Sequence, residues 1–159
     1  MVAQEEGDRV KRLEDIEAIK KLQTEYAYFN DTLDYDKLSD LFVEDITGEY
    51  GPKAKFGNKS ELILLLKGIR DKYKVTMMCH HMTTPIIELS GDSATGIWYL
   101  FGPFTGKGPE GGIPYWVQGI YHNEYVRGDE KWKFRKIHFK FIFWTPYEDG
   151  WVKTPMYEP

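Results

Sequence analysis

Apolar residues recur every three or four positions between residues 7 and 31. Val10, Leu13, Ile16, Ile19, Leu22, Tyr26 and Phe29 form one stripe, which predicts a long amphipathic helix. Asp34 to Phe42 reads as a second, short helix, with acids in its first turn where the helix dipole favours them. Ile46 to Tyr50 predicts a short strand closed by Gly51-Pro52. A third helix follows over Leu62 to Tyr73, with Asn58 or Ser60 as its cap.

Beyond Tyr73 the pattern changes to that of strands. Val75 to Leu89 and Ala94 to Phe101 flank a turn at Ser90-Gly91-Asp92. Residues 102–114 hold five Gly and three Pro and read as a flexible loop over a pocket mouth or at an interface. Tyr115 to Arg127 and Lys131 to Trp144 predict a long hairpin turning near Gly128-Asp129-Glu130. The last strand changes phase. Trp132 and Phe134 are apolar at even positions, whereas Ile137, Phe139, Phe141 and Phe143 are apolar at odd ones. Such a slip flips the faces, so a bulge or sharp bend is expected near Arg135-Lys136. Lys131, Lys133 and Arg135 read as a solvated face.

Helices first and strands after give an α+β chain, with N-terminal helices packed on a strongly bent, mostly antiparallel sheet. One domain is expected over residues 1–159, its core at about 10–146 and an arm at 147–159. The formal charge of -4 argues against nucleic acid as a partner, since phosphate contacts need a basic face. No apolar run approaches a membrane span, the longest being Leu62 to Leu66, and MVAQEEGDRVKR does not read as a signal peptide. A single Cys disfavours a disulfide-stapled secreted fold. The expected location is therefore the cytoplasm. Nine Phe, five Trp and eleven Tyr are many for this length, and they suggest a ring-lined cavity or a broad subunit interface.

Candidate chemistry is sparse. Nucleophile-elbow, Walker A and dinucleotide patterns are missing, and Gly106-Lys107-Gly108 lacks the context of a phosphate loop. Cys79, His80 and His81 fall in a predicted strand, where adjacent residues face opposite ways, so at most one His faces inward and a metal site is not expected. Asp31 ends the first helix's stripe, after Tyr26 and Phe29. On residues alone it reads as a helix cap or surface acid, and a lone His as a structural residue. A carboxylate at a helix end and a His on a strand can also form a dyad, with the acid holding the imidazole tautomer and the His acting as base.

The segments Ile16 to Phe42 and His81 to Leu100, with Asn123 to Ile137 and Thr145-Pro146, resemble the SnoaL-like branch of the nuclear transport factor 2-like superfamily. That branch includes bile acid 7α-dehydratases, hexachlorocyclohexane dehydrochlorinases and scytalone dehydratases. The resemblance runs from about Ile16 to Pro146. It implies a cone-shaped α+β barrel with a deep pocket, a homotrimer, and cofactor-free elimination by an Asp–His pair. Matched residue by residue, it makes His80 the base and Asp31 its partner, with Tyr26 and Tyr50 as hydrogen-bond donors. Tyr121, Trp98, Phe139 and Phe104 are the expected substrate contacts. Gly102 and Phe104 stand near places where family members carry a further acid or His. The implied function is a lyase of dehydratase type on a hydrophobic cyclic or aromatic small molecule, without metal or other cofactor. Isomerisation or aldol-type cyclisation in the same pocket is the alternative, and a non-catalytic binding module is the third reading.

Overall fold

The computed structural model describes residues 2–108, 111–128 and 131–157, with side chains from residue 6 onward. The turn expected at Asp129-Glu130 lies outside them. The helices are α1 (Val2–Thr32), α2 (Tyr35–Asp40), α3 (Lys59–Lys72) and α4 (Gly150–Lys153). The strands are β1 (Phe42–Tyr50), β2 (Lys55–Phe56), β3 (Val75–Met77), β4 (His81–Ser90), β5 (Ser93–Gly108), β6 (Gly111–Gly128) and β7 (Lys131–Pro146). The N-terminal helices pack on a curved, mixed sheet that does not close. Its order is β2-β1-β7-β6-β5-β3, and β4 also pairs with β5. Among the described strand pairs, β1 with β7 is parallel and the rest are antiparallel.

Helix starts follow local chemistry. Asp34 accepts from the Lys37 N–H at 3.2 Å and caps α2, and Asn58 accepts from the Glu61 N–H at 2.9 Å and caps α3. The face that α1 buries is rotated from the expected stripe. Ile19, Leu22 and Tyr26 are buried, but Val10 and Leu13 are 55% and 63% exposed. In their place α1 buries Asp15, Gln23 and Asn30. A buried polar group needs a partner, and two of these reach across to the sheet. Gln23 Oε1 accepts from Asn123 and from the Tyr125 hydroxyl, and Asp15 accepts from Arg127 and from Trp132 Nε1.

The hydrogen bond from Arg127 holds the Asp15 carboxyl below its ordinary range. A depressed carboxyl stabilises the fold above its unfolded-state pKa, and that contribution is lost as pH falls through the folded value. The stability of the wild-type protein is therefore expected to fall below about pH 4. In Asp15→Asn the same acid titration, followed by urea midpoints, should show a shallower fall.

The sheet corrects two expectations. Residues 102–108 and 111–114 are strand and not loop: β5 and β6 pair in unbroken antiparallel register from Ser93↔Val126 to Gly108↔Gly111. The glycines serve close approach instead of flexibility. A Cβ on Gly102 would lie 1.7 Å from the Cys79 carbonyl oxygen, and one on Gly106 would lie 2.7 Å from the Tyr73 carbonyl oxygen. Nor is Val75 to Leu89 one strand. It breaks at Met78–His80, with β3 and β4 lying along different stretches of β5. The expected bulge is present: Glu124 pairs with Lys136 and Tyr125 with Phe134, skipping Arg135. Both phases of β7 thus reach one core, with Phe134 and Ile137 each fully buried. The arm returns to the body, where the Tyr157 N–H donates to the Trp144 carbonyl at 2.8 Å.

Candidate active site

Asp31 is set by how α1 ends. The Asp34 N–H bonds the Phe29 carbonyl at 3.0 Å and the Leu33 N–H bonds the Asn30 carbonyl at 3.3 Å. Leu33 between them has φ of 61°. This is a Schellman ending, which stops the helix within two residues of Asp31.

His80 is set by the break in the strand that pairs with β5. Thr105 and Gly106 pair with β3, and Phe101 pairs with His81 at the start of β4. Gly102 lies between these partners, and its missing Cβ admits the Cys79 carbonyl. An acid at position 102, which the resemblance would allow, needs a different path for residues 78–80. Leaving the ladder here turns His80 inward, with a side chain 7% exposed, while His81 faces solvent.

The two residues meet twice. Asp31 Oδ2 accepts from the backbone N–H of His80 at 2.9 Å, and Oδ1 bonds ring Nδ1. With Nδ1–H donated to a carboxylate, Nε2 is left as the basic nitrogen. It has no protein partner among the described residues. The edge of Phe104 packs at 5.0 Å from the His80 ring and fixes its plane.

His80 lines a cavity of about 50 Å³ together with Tyr26, Tyr50, Tyr121, Phe104 and Phe139. The Tyr26 and Tyr50 hydroxyls are hydrogen-bonded, and the Tyr121 hydroxyl lies 3.4 Å from that of Tyr26. Burial raises the Tyr26 phenol above its ordinary pKa, and drives Tyr50 and Tyr121 well above theirs. All three remain protonated near neutral pH and serve as donors. One cavity thus holds a base oriented by a carboxylate and a cluster of phenols that can hold developing negative charge.

Six of the eight residues expected from sequence line this space, and Asp31 stands behind His80, bonded to it. Trp98 does neither. It points inward from β5 toward α1, and its Nε1–H donates to the Tyr125 hydroxyl at 2.8 Å, within the Gln23–Asn123 cluster. Sequence reasoning missed Asn30, Leu66, Ile69 and Arg70, which also line the cavity. Leu62, Leu66 and Ile69 do recur at helical spacing on α3, which is the signal that marks its inner face. Among the described residues, no group of three His, Cys, Asp or Glu is placed to hold a metal.

The helix-backed, curved, open sheet is that of the nuclear transport factor 2-like superfamily. The SnoaL-like domain matches residues 11–138, and the chain belongs to that family. Solved structures share the fold. A scytalone dehydratase candidate from Novosphingobium aromaticivorans DSM 12444 is 24% identical, with a TM-score of 0.74 over 86% of this chain and 89% of its own. Hexachlorocyclohexane dehydrochlorinase LinA-type3 from Novosphingobium barchaimii LL02 is 22% identical, with a TM-score of 0.73 over 87% of this chain and 93% of its own. A cystatin-like fold protein from Nostoc punctiforme PCC 73102 is 17% identical, with a TM-score of 0.65 over 80% and 90%.

Proposed function

We propose that this protein is a cofactor-independent lyase that eliminates water from a hydrophobic cyclic or aromatic small molecule. The observation that carries the reading is the double hold of Asp31 on His80 inside a cavity lined by phenols. His80 Nε2 takes the proton from a carbon beside a carbonyl. The electron pair of that C–H bond becomes the new C=C bond, and the neighbouring C–O bond breaks. The departing hydroxyl receives the proton from His80 and leaves as water, so the base is restored. Asp31 orients the ring and stabilises its cationic form. Tyr26 and Tyr50 donate to the carbonyl oxygen as charge develops there, and Tyr121 contacts the substrate. Proton abstraction beside a carbonyl also begins isomerisation and aldol-type cyclisation, which is the second reading of the same site.

The test is mass spectrometry of small molecules released from the purified protein, followed by incubation of each with fresh enzyme. The reading expects a product lighter by one water and is refuted if the only products are isomers of the starting compound. Tyr50→Phe is expected to lower kcat by about 10²-fold by removing one donor. Steady-state kinetics beside an unchanged thermal midpoint checks it.

A homotrimer belongs to the same proposal. Its support is an outer sheet face on which Ile86, Tyr99 and Phe101 are 60%, 41% and 39% exposed, with Phe101 stacked on Trp116 at 5.1 Å. Tyr99→Glu with Phe101→Glu should convert the assembly to monomers in sedimentation. Among the described residues no helix is long and apolar enough to cross a membrane. The proposed location is the cytoplasm, in keeping with a single Cys.

A further inference from the structure

The cavity at His80 is too small for the whole of a cyclic substrate. It holds about 50 Å³, whereas sites for such ligands run to roughly 300–1,000 Å³. A second space of about 1000 Å³ lies beside it, bounded by residues 51–55, α3 and β7. Tyr50, Ile69 and Phe141 line both, so the outer groove adjoins the site. Leu64, Leu65 and Phe141 give the groove an apolar lining.

Its charge is one-sided. Lys53, Lys72 and Lys140 line it from three separate segments, and none has a carboxylate partner among the described residues. The fourth lysine, Lys55, lies 3.8 Å from Glu49. Glu61, the one acid in the lining, accepts from the Gly57 N–H at 2.7 Å. Arg70 lines the inner cavity and is likewise without a carboxylate partner among the described residues. The chain carries a net charge of -4, so this gathering of cations does not follow from its composition.

We propose that the groove binds a carboxylate-bearing tail of the substrate, held by Lys53, Lys72 and Lys140, while the ring end reaches His80. This deepens the elimination reading and rests on it. Each exposed cation contributes little alone, but three lining one groove without facing carboxylates favour an anionic ligand over a neutral one.

Calorimetric titration of the full-length protein with 1-naphthylacetate and with its uncharged amide tests the proposal. At low salt the acid should bind about tenfold tighter than the amide. Added salt should weaken the acid alone. Lys53→Gln, Lys72→Gln and Lys140→Gln combined should abolish the difference without changing the circular dichroism spectrum. Equal affinities, no measurable binding of the acid, or a preference that survives the triple variant would each overturn it. Binding is read without turnover, so this failure is distinct from failure of the elimination reading, which would show as full activity in variants of Asp31 or His80.

Discussion

Replacing His80 by alanine is expected to lower kcat by about 10³–10⁴-fold while leaving the protein folded. Among the described residues that line the cavity, His80 is the one imidazole and none is a carboxylate. Asp31→Asn should cost about as much for a subtler reason. Its amide oxygen can still accept the His80 backbone N–H, so the segment stays in place. Its NH₂ then faces ring Nδ1 and donates to it. That forces the imidazole proton onto Nε2, and the base becomes a donor. The two variants should share a rate close to that of the double variant, because both act through one group. Steady-state kinetics with thermal midpoints checks this. Wild-type rates in either variant would dismiss the dyad.

Phe134→Ala should remove about 3–5 kcal/mol of stability, a large share of the roughly 5–15 kcal/mol by which domains are stable. Phe134 is fully buried, with the rings of Tyr125, Tyr26 and Phe42 at 5.1, 5.4 and 5.6 Å. It therefore joins α1, β1, β6 and β7 at one point. Its loss also frees Tyr26, whose hydroxyl joins those of Tyr50 and Tyr121. Activity should accordingly fall at temperatures where the variant is still folded. Phe134→Leu, which refills most of the space, should cost under about 1.5 kcal/mol. Urea denaturation of both variants measures the difference.

Residues whose role is local were legible in the sequence. The cap at Asn58 and the bulge at Arg135 are read from spacing, because helix caps and strand alternation are properties of a few adjacent residues. Positions set by distant chain were not legible. Gly102 and Gly106 have the composition of a loop, and only the arrival of Cys79 and Tyr73 makes glycine necessary within a strand. The break at Met78–His80 carries no Gly or Pro to announce it. Val10 and Leu13 extend a good apolar stripe, yet the sheet meets a face turned toward Asp15, Gln23 and Asn30. Trp98, expected as a substrate contact, does point inward from β5, but inward at its level means the polar cluster and not the cavity. The family resemblance, and not local pattern, points to Asp31 and His80. Their contact spans 49 residues of sequence, a separation that local pattern does not encode.

The most direct measurement is a crystal structure of Asp31→Asn holding the substrate released from wild-type protein. The acidic carbon is expected about 3–3.5 Å from His80 Nε2, with the adjacent carbonyl oxygen bonded to Tyr26 or Tyr50. A substrate whose reacting carbon lies beyond reach of His80, or against a different base, would contradict it.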